Sequence, residues 1–263
     1  MENHQKNLQD LLESFNASPE PTLKATNYFE IYSDLFGYLR GTNCTFIEVG
    51  VFNGGSLFMW RDWLGKDARI IGVDLNPAAL KWKEYGFEIH IGDQGDPLFW
   101  QDLYEKTGRF DVLLDDGGHQ TFQQIVTLNE GLKACKNRSL IVIEDTIASH
   151  MIDFKSHQDI NFQDYSKTAT EAVLARSANI WAGIFKPILN PSVVKNFNIV
   201  RSIEFFSGII AFNINTQVED PRAIWNRAPT SSERDFRGHG LTKSANVEWP
   251  DPFNKIIVEI NGI

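Results

Sequence analysis

The chain has 263 residues, 42% of them hydrophobic and 22% charged, with a net charge of −9. That length suits one large domain or a domain with an appendage, and the apolar share is enough for a sizeable core. The negative balance argues against a nucleic-acid partner, which clustered Lys and Arg would bind. No apolar run is long enough to cross a membrane. The opening MENHQKNLQDLLESF lacks the basic-then-apolar run of a signal peptide. Cys44 and Cys135 stand apart, without metal-type spacing. A cytoplasmic protein with free thiols is expected.

In chain order, ATNYFEIYSDLFGYLR places Tyr28, Tyr32, Leu35, Phe36 and Leu39 at helical spacing, a stripe expected to pack on a sheet as core. Five short, nearly continuous apolar runs follow: TFIEVGV (45–51), ARIIGVDL (68–75), FEIHIGD (87–93), FDVLLDD (110–116) and SLIVIEDT (139–146). Strands buried on both faces look like this. Helix-like segments separate them: SLFMWRDWL after Gly55, NPAALKWKE with an early Pro, DPLFWQDLYEKTG from Asp96 to Gly108, and HQTFQQIVTLNEGLKAC. Alternating strand and helix predicts an α/β fold with a parallel, doubly wound sheet.

Beyond residue 146 the pattern loosens. SHMIDFKSHQDINFQDYS reads as a polar loop and KTATEAVLARSANIWAGIF as a helix. NFNIVRSIEFF and GIIAFNI, joined at Ser207-Gly208, read as a terminal hairpin. The expected organisation is a domain over 1–214, with 1–44 a helical cap and 147–195 an insert covering the substrate, followed by an irregular extension over 215–263.

In a parallel sheet, ligands sit beyond the carboxyl ends of the strands. The first strand runs there into Glu48, Gly50, Asn53, Gly54, Gly55 and Ser56. Glycines let backbone approach a ligand, though a tight turn explains them equally well. Their spacing is GxxxGG, not the GxGxxG of nicotinamide enzymes. Asp74 and Asp93 end the next two strands, and Asp96 reads as a helix cap.

FIEVGVFNGGSLFMWRDWL, IIGVDLNP, IHIGDQGD, FDVLLDDGGH and IVIEDT resemble the successive motifs of class I S-adenosylmethionine-dependent methyltransferases. The similarity covers about residues 45 to 146, and SIEFFSGIIAFNI resembles the last hairpin of that fold, which implies a seven-stranded Rossmann-like sheet. More narrowly, DDGGH and the Glu-Asp pair resemble the metal-dependent sugar O-methyltransferases of macrolide and aminocoumarin biosynthesis, of the mycinamicin type. The cephalosporin hydroxylase group shares similar motifs. The resemblance implies that Gly50, Asn53, Gly54 and Ser56 line the methionine part of the donor and that Glu48 fixes their loop. It implies that Asp74 takes the ribose, that Asp93 and Gln94 border the adenine, and that Asp115 lies near the amino group or sulfonium.

In the usual order of this fold the fourth and fifth strands are neighbours, about 4.8 Å apart. Asp116, Glu144 and Asp145 then converge. Such carboxylates repel, and a hard divalent cation such as Mg²⁺ relieves the repulsion. The alternative is that Glu144 and Asp145 cap the next segment or pair with lysines. His119, with an ordinary pKa of about 6.5, suits proton removal at neutral pH, although a lone histidine is more often structural. The matching histidine is the proposed base in the mycinamicin-type enzymes. Some relatives carry an acid one position earlier, where this chain has Gly118. His150 and His157 are weaker candidates.

The expectation is therefore methyl transfer to a hydroxyl of a sugar or glycosylated metabolite, with S-adenosylmethionine and Mg²⁺ as cofactors. A catechol-like acceptor, a nicotinamide-dependent oxidoreductase and a non-catalytic assembly protein are the rival readings. The expected partners are a small molecule or glycan, neither nucleic acid nor membrane, and, by analogy with relatives, a second copy of the chain.

Overall fold

The structure, a computed structural model, describes residues 2–154, 160–176 and 196–217. His157, the ANIWAGIF segment and the extension from residue 218 onward lie outside the described residues.

Seven strands form one sheet: β1 (Thr45–Val49), β2 (Arg69–Asp74), β3 (Glu88–Ile91), β4 (Phe110–Asp115), β5 (Cys135–Ile143), β6 (Val200–Phe205) and β7 (Ile210–Ile214). Their order is β3-β2-β1-β4-β5-β7-β6. The first five run parallel, and β7 and β6 close the edge antiparallel. This is the expected mixed sheet with a terminal hairpin. The order reverses between β1 and β4, so a crevice opens there beyond the strand ends.

Among the described residues, six α-helices cover the two faces: α1 (Glu2–Asn16), α2 (Tyr28–Phe36), α3 (Gly55–Leu64), α4 (Pro97–Thr107), α5 (Thr121–Ala134) and α6 (Phe162–Arg176). Side chains alternate across a strand, so β4 sends Val112 and Leu114 to one core and Leu113 to the other. The first core packs α1, α2 and α3. At its centre Trp60 meets Tyr32, Phe36 and Phe46 with ring centroids 4.9–5.8 Å apart. The second core holds Trp100 and Leu103 of α4, Leu128 of α5 and Phe162 of α6. All five residues of β1 are buried, which is why its sequence is an unbroken apolar run around Glu48.

The helix-like NPAALKWKE segment is a 3-10 helix, Pro77–Tyr85, started by Asn76 Oδ1, which accepts from Ala78 N at 3.0 Å. Two boundaries differ from the sequence reading. β5 begins at Cys135, where helical character was expected to persist, because Cys135 already pairs with Phe110. α6 begins at Phe162 inside a stretch that reads as polar loop. Asn161 Oδ1 accepts from Asp164 N at 2.8 Å there, and Phe162 is fully buried against Phe212. Both cysteines are free and buried. No described helix is long and apolar enough to cross a membrane.

Candidate active site

Beyond the carboxyl ends of β1, β2 and β4 lies a cavity of about 620 Å³. The turn after β1 forms one wall. Gly50 has φ +90°, and a Cβ there would fall 1.9 Å from the Asp116 carbonyl oxygen, so only glycine lets the ends of β1 and β4 approach this closely. Gly54 caps α3 in the left-handed region at φ +83°. Asn53, Gly50 and Ser56 line the cavity. Glu48 lies behind the turn. It is fully buried and accepts from Ser56 Oγ at 2.8 Å and Trp60 Nε1 at 3.0 Å, tying the first turns of α3 to β1. Burial pushes its carboxyl up to about 7, against the pull of Lys24.

Asp74 holds the same turn from the β2 side. Its Oδ2 accepts from Val51 N and Phe52 N at 2.9 and 3.0 Å, and its Oδ1 from Asn76 N at 2.8 Å. A carboxylate has about four lone-pair sites, so Asp74 retains capacity for ligand hydroxyls. Asp93 lines the cavity and accepts from Gly95 N at 2.7 Å. Gln94 is buried and bridges β3 to β4. Its Nε2 donates to both oxygens of Asp115 at 2.9 and 3.0 Å, and its Oε1 accepts from Gly118 N at 2.8 Å. Asp115 also accepts from Gly117 N at 3.1 Å, and burial raises its pKa. Its carboxylate is thus spent inward on Gln94 and the glycine loop, and Asp115 does not line the cavity.

At the other end, Asp116, His119 and Asp145 each offer a ligand atom within 4.8 Å of the other two. His119 Nε2 lies 3.6 Å from Asp145 Oδ2, while Nδ1 is buried without a hydrogen-bond partner among the described residues. Asp145 Oδ1 accepts from the Tyr28 hydroxyl at 2.6 Å. In octahedral Mg²⁺ coordination, ligand atoms about 2.1 Å from the ion stand roughly 3 to 4 Å apart. The carboxylates of Asp116 and Asp145 are the oxygen donors a hard divalent ion takes, and His119 stands beside them.

Glu144 is not in this group. It is buried, its Oε1 bonded to the Tyr32 hydroxyl and its Oε2 to Lys24 Nζ at 3.0 Å. The lysine-pairing alternative thus describes Glu144. Lys24 also reaches Asp116 Oδ2 at 2.5 Å and lies 4.0 Å from Glu48 Oε1. Burial pulls the Lys24 ammonium toward neutrality, but Glu144, Asp116 and Glu48 outweigh it and hold the charge. Burial also raises Glu144, more than Lys24 lowers it. One ammonium thus faces three carboxylates.

Sequence reasoning missed Lys24 and the hydroxyls of Tyr28 and Tyr32. Both tyrosines are buried as the core stripe requires, yet a purely apolar stripe needs no hydroxyls. Tyr28 and Tyr32, four residues apart, were the available signal. His150 faces Gln163 Oε1 at 2.8 Å and does not line the cavity.

No protein-family model matches the chain. In sequence it is 32% identical over 127 residues to the 8-demethyl-8-(2-methoxy-alpha-L-rhamnosyl)-tetracenomycin-C 3'-O-methyltransferase of Streptomyces olivaceus, covering 44% of this chain and 31% of the relative. It is 26% identical over 135 residues to demethylmacrocin O-methyltransferase of Streptomyces fradiae, covering 49% and 34%. The matched stretch thus spans about a third of each of these curated relatives. Among solved structures, MycE methyltransferase from the mycinamycin biosynthetic pathway, in complex with Mg and SAH, superposes with a TM-score of 0.69 at 19% identity. That match covers 92% of this chain and 60% of MycE. The complex of MycE with Mg, SAH and mycinamycin VI gives 0.64 at 18% identity, covering 82% and 57%. The chain has the class I methyltransferase fold, and its sequence is similar to sugar O-methyltransferases of macrolide and tetracenomycin pathways.

Proposed function

We propose that the protein is an S-adenosylmethionine- and Mg²⁺-dependent O-methyltransferase acting on a hydroxyl of a sugar or glycosylated metabolite. One observation carries this reading: Asp116, His119 and Asp145 converge on the same cavity that the β1–α3 turn and Asp74 line. The similarity to sugar O-methyltransferases supports the choice of acceptor.

S-adenosylmethionine supplies an electrophilic methyl group, and a hard divalent cation lowers the pKa of an acceptor hydroxyl. On the donor side, Gly50, Asn53 and Ser56 face the methionine part, Asp74 the ribose and Asp93 and Gln94 the adenine. Glu48, Gly54 and Asp115 shape these surfaces from behind. Asp116 and Asp145 would hold the cation, and Glu144 lies next to Asp145 in the chain, paired with Lys24. His119 takes the acceptor proton. Its Nε2 lies 3.6 Å from Asp145 Oδ2, beside the carboxylates that would hold the ion. Holding acceptor and donor in one cavity supplies alignment, a large share of the barrier in bimolecular displacements.

The test is methyl transfer from S-adenosylmethionine to a panel of glycosylated acceptors, read as product mass and S-adenosylhomocysteine release. Asp116→Ala and chelation should each abolish turnover. His119→Ala should reduce it about 10²- to 10⁴-fold. Turnover that survives both chelation and Asp116→Ala rules out the metal role, and a loss below about tenfold in His119→Ala rules out the base.

A further inference from the structure

The segment 17–27 between α1 and α2 is a strap laid across the cavity. Ser18 Oγ donates to the Gly55 carbonyl at 2.9 Å, and Pro21, Thr22 and Leu23 line the cavity. The next residue, Lys24, turns inward. Its side chain is 2% exposed and its ammonium lies between Asp116 Oδ2 at 2.5 Å and Glu144 Oε2 at 3.0 Å. Asp116 is thus claimed from two sides: it belongs to the cluster able to hold a divalent ion, and it is already paired with a cation built into the chain. An ammonium and a divalent ion on one carboxylate repel each other, the more strongly where burial limits screening.

We propose that Lys24 is a tethered cation occupying the acidic centre, and that a divalent ion displaces it from Asp116 on binding. Lys24 is then a positioning residue. It offsets part of the centre's negative charge while no ion is bound, sets the affinity for the ion, and makes ion binding move the strap that walls the cavity. This inference rests on the metal-dependent reading above.

Two measurements on the full chain test it. Mn²⁺ binding, followed by the loss of the free-ion electron paramagnetic resonance signal, should be at least tenfold tighter in Lys24→Met than in wild type. A merely structural lysine would leave the affinity unchanged or weaker. In wild type, acetylation of Lys24 by an N-hydroxysuccinimide ester, read by peptide mass spectrometry, should be slow without Mn²⁺ and rise severalfold at saturation. This second measurement stands even if Lys24→Met fails to fold. Equal or weaker Mn²⁺ affinity in the variant, or a Lys24 that stays protected when wild type is saturated, overturns the inference and leaves the metal reading intact. Failure of both proteins to bind Mn²⁺ overturns both.

Discussion

At Glu48, burial and hydrogen bonding pull in opposite directions. Removal from water raises the carboxyl to about 7, while Lys24, Trp60 and Ser56 favour its charged form. In the unfolded chain the same carboxyl titrates near 4.5. Between these values the folded state binds the extra proton, so stability falls as pH rises through the window. The slope is about 1.4 kcal/mol per pH unit for one such group. Urea unfolding of wild type at pH 5 and pH 6.5 should show this decline, and Glu48→Gln should remove Glu48's share of it; an unchanged slope in the variant would show that Glu48 ionises normally. Backbone strain gathers at the same cavity. Phe52, His119 and Asp145 line it and hold positive φ values of 47°, 55° and 49°. Such conformations cost on the order of 1–3 kcal/mol each and persist where the surrounding structure imposes them. Pinning of Asp145 by Tyr28 is one such constraint.

Among elements, the turn from β1 into α3 depends most on a single residue. Gly50→Ala would place a methyl group against the Asp116 carbonyl in a conformation that L-residues rarely adopt. The expected cost is about 3 kcal/mol, measured by urea unfolding, with loss of donor binding by calorimetry. A variant that retains both stability and binding would mean that β1 and β4 can separate without consequence. The strands were legible because burial on both faces writes itself as nearly continuous apolar runs, and the first five all overlap those runs, although β5 starts earlier, at Cys135. The carboxylates at their ends were legible for the same reason: once the strands are placed, their ends are placed. Lys24 was not. Its strap has no periodicity, and its partners Asp116 and Glu144 lie 92 and 120 positions away. Nor does spacing alone show which way an end carboxylate turns. Asp115 and Glu144 face the interior because Gln94, Tyr32 and Lys24 await them there.

For the molecule as a whole, the donor distinguishes the rival enzyme classes. A ligand that binds only the folded state stabilises it by about 2.7 kcal/mol at a hundredfold excess over its Kd. For a domain of this size that raises Tm by roughly 5–10 °C. S-adenosylhomocysteine should produce this shift and NAD none. The reverse result would favour an oxidoreductase on the same sheet.

Every described residue lining the cavity lies between Pro21 and Asp145, yet the wall is not complete at that point in the chain. Asn27 Nδ2 donates to the Ser207 carbonyl at 2.9 Å, Thr146 N to the Gly208 carbonyl at 3.0 Å, and Tyr28 to both Asp145 and Gly208. The turn between β6 and β7 therefore fastens the residue that pins Asp145, across 180 positions of chain. During synthesis, a nascent chain that has emerged only as far as Asp145 carries every described cavity residue but lacks this fastening. If Asp145 takes its place only once the last hairpin docks beside β5, a chain cut before Ser207 should keep the β1–α3 turn while Asp116, His119 and Asp145 fail to converge.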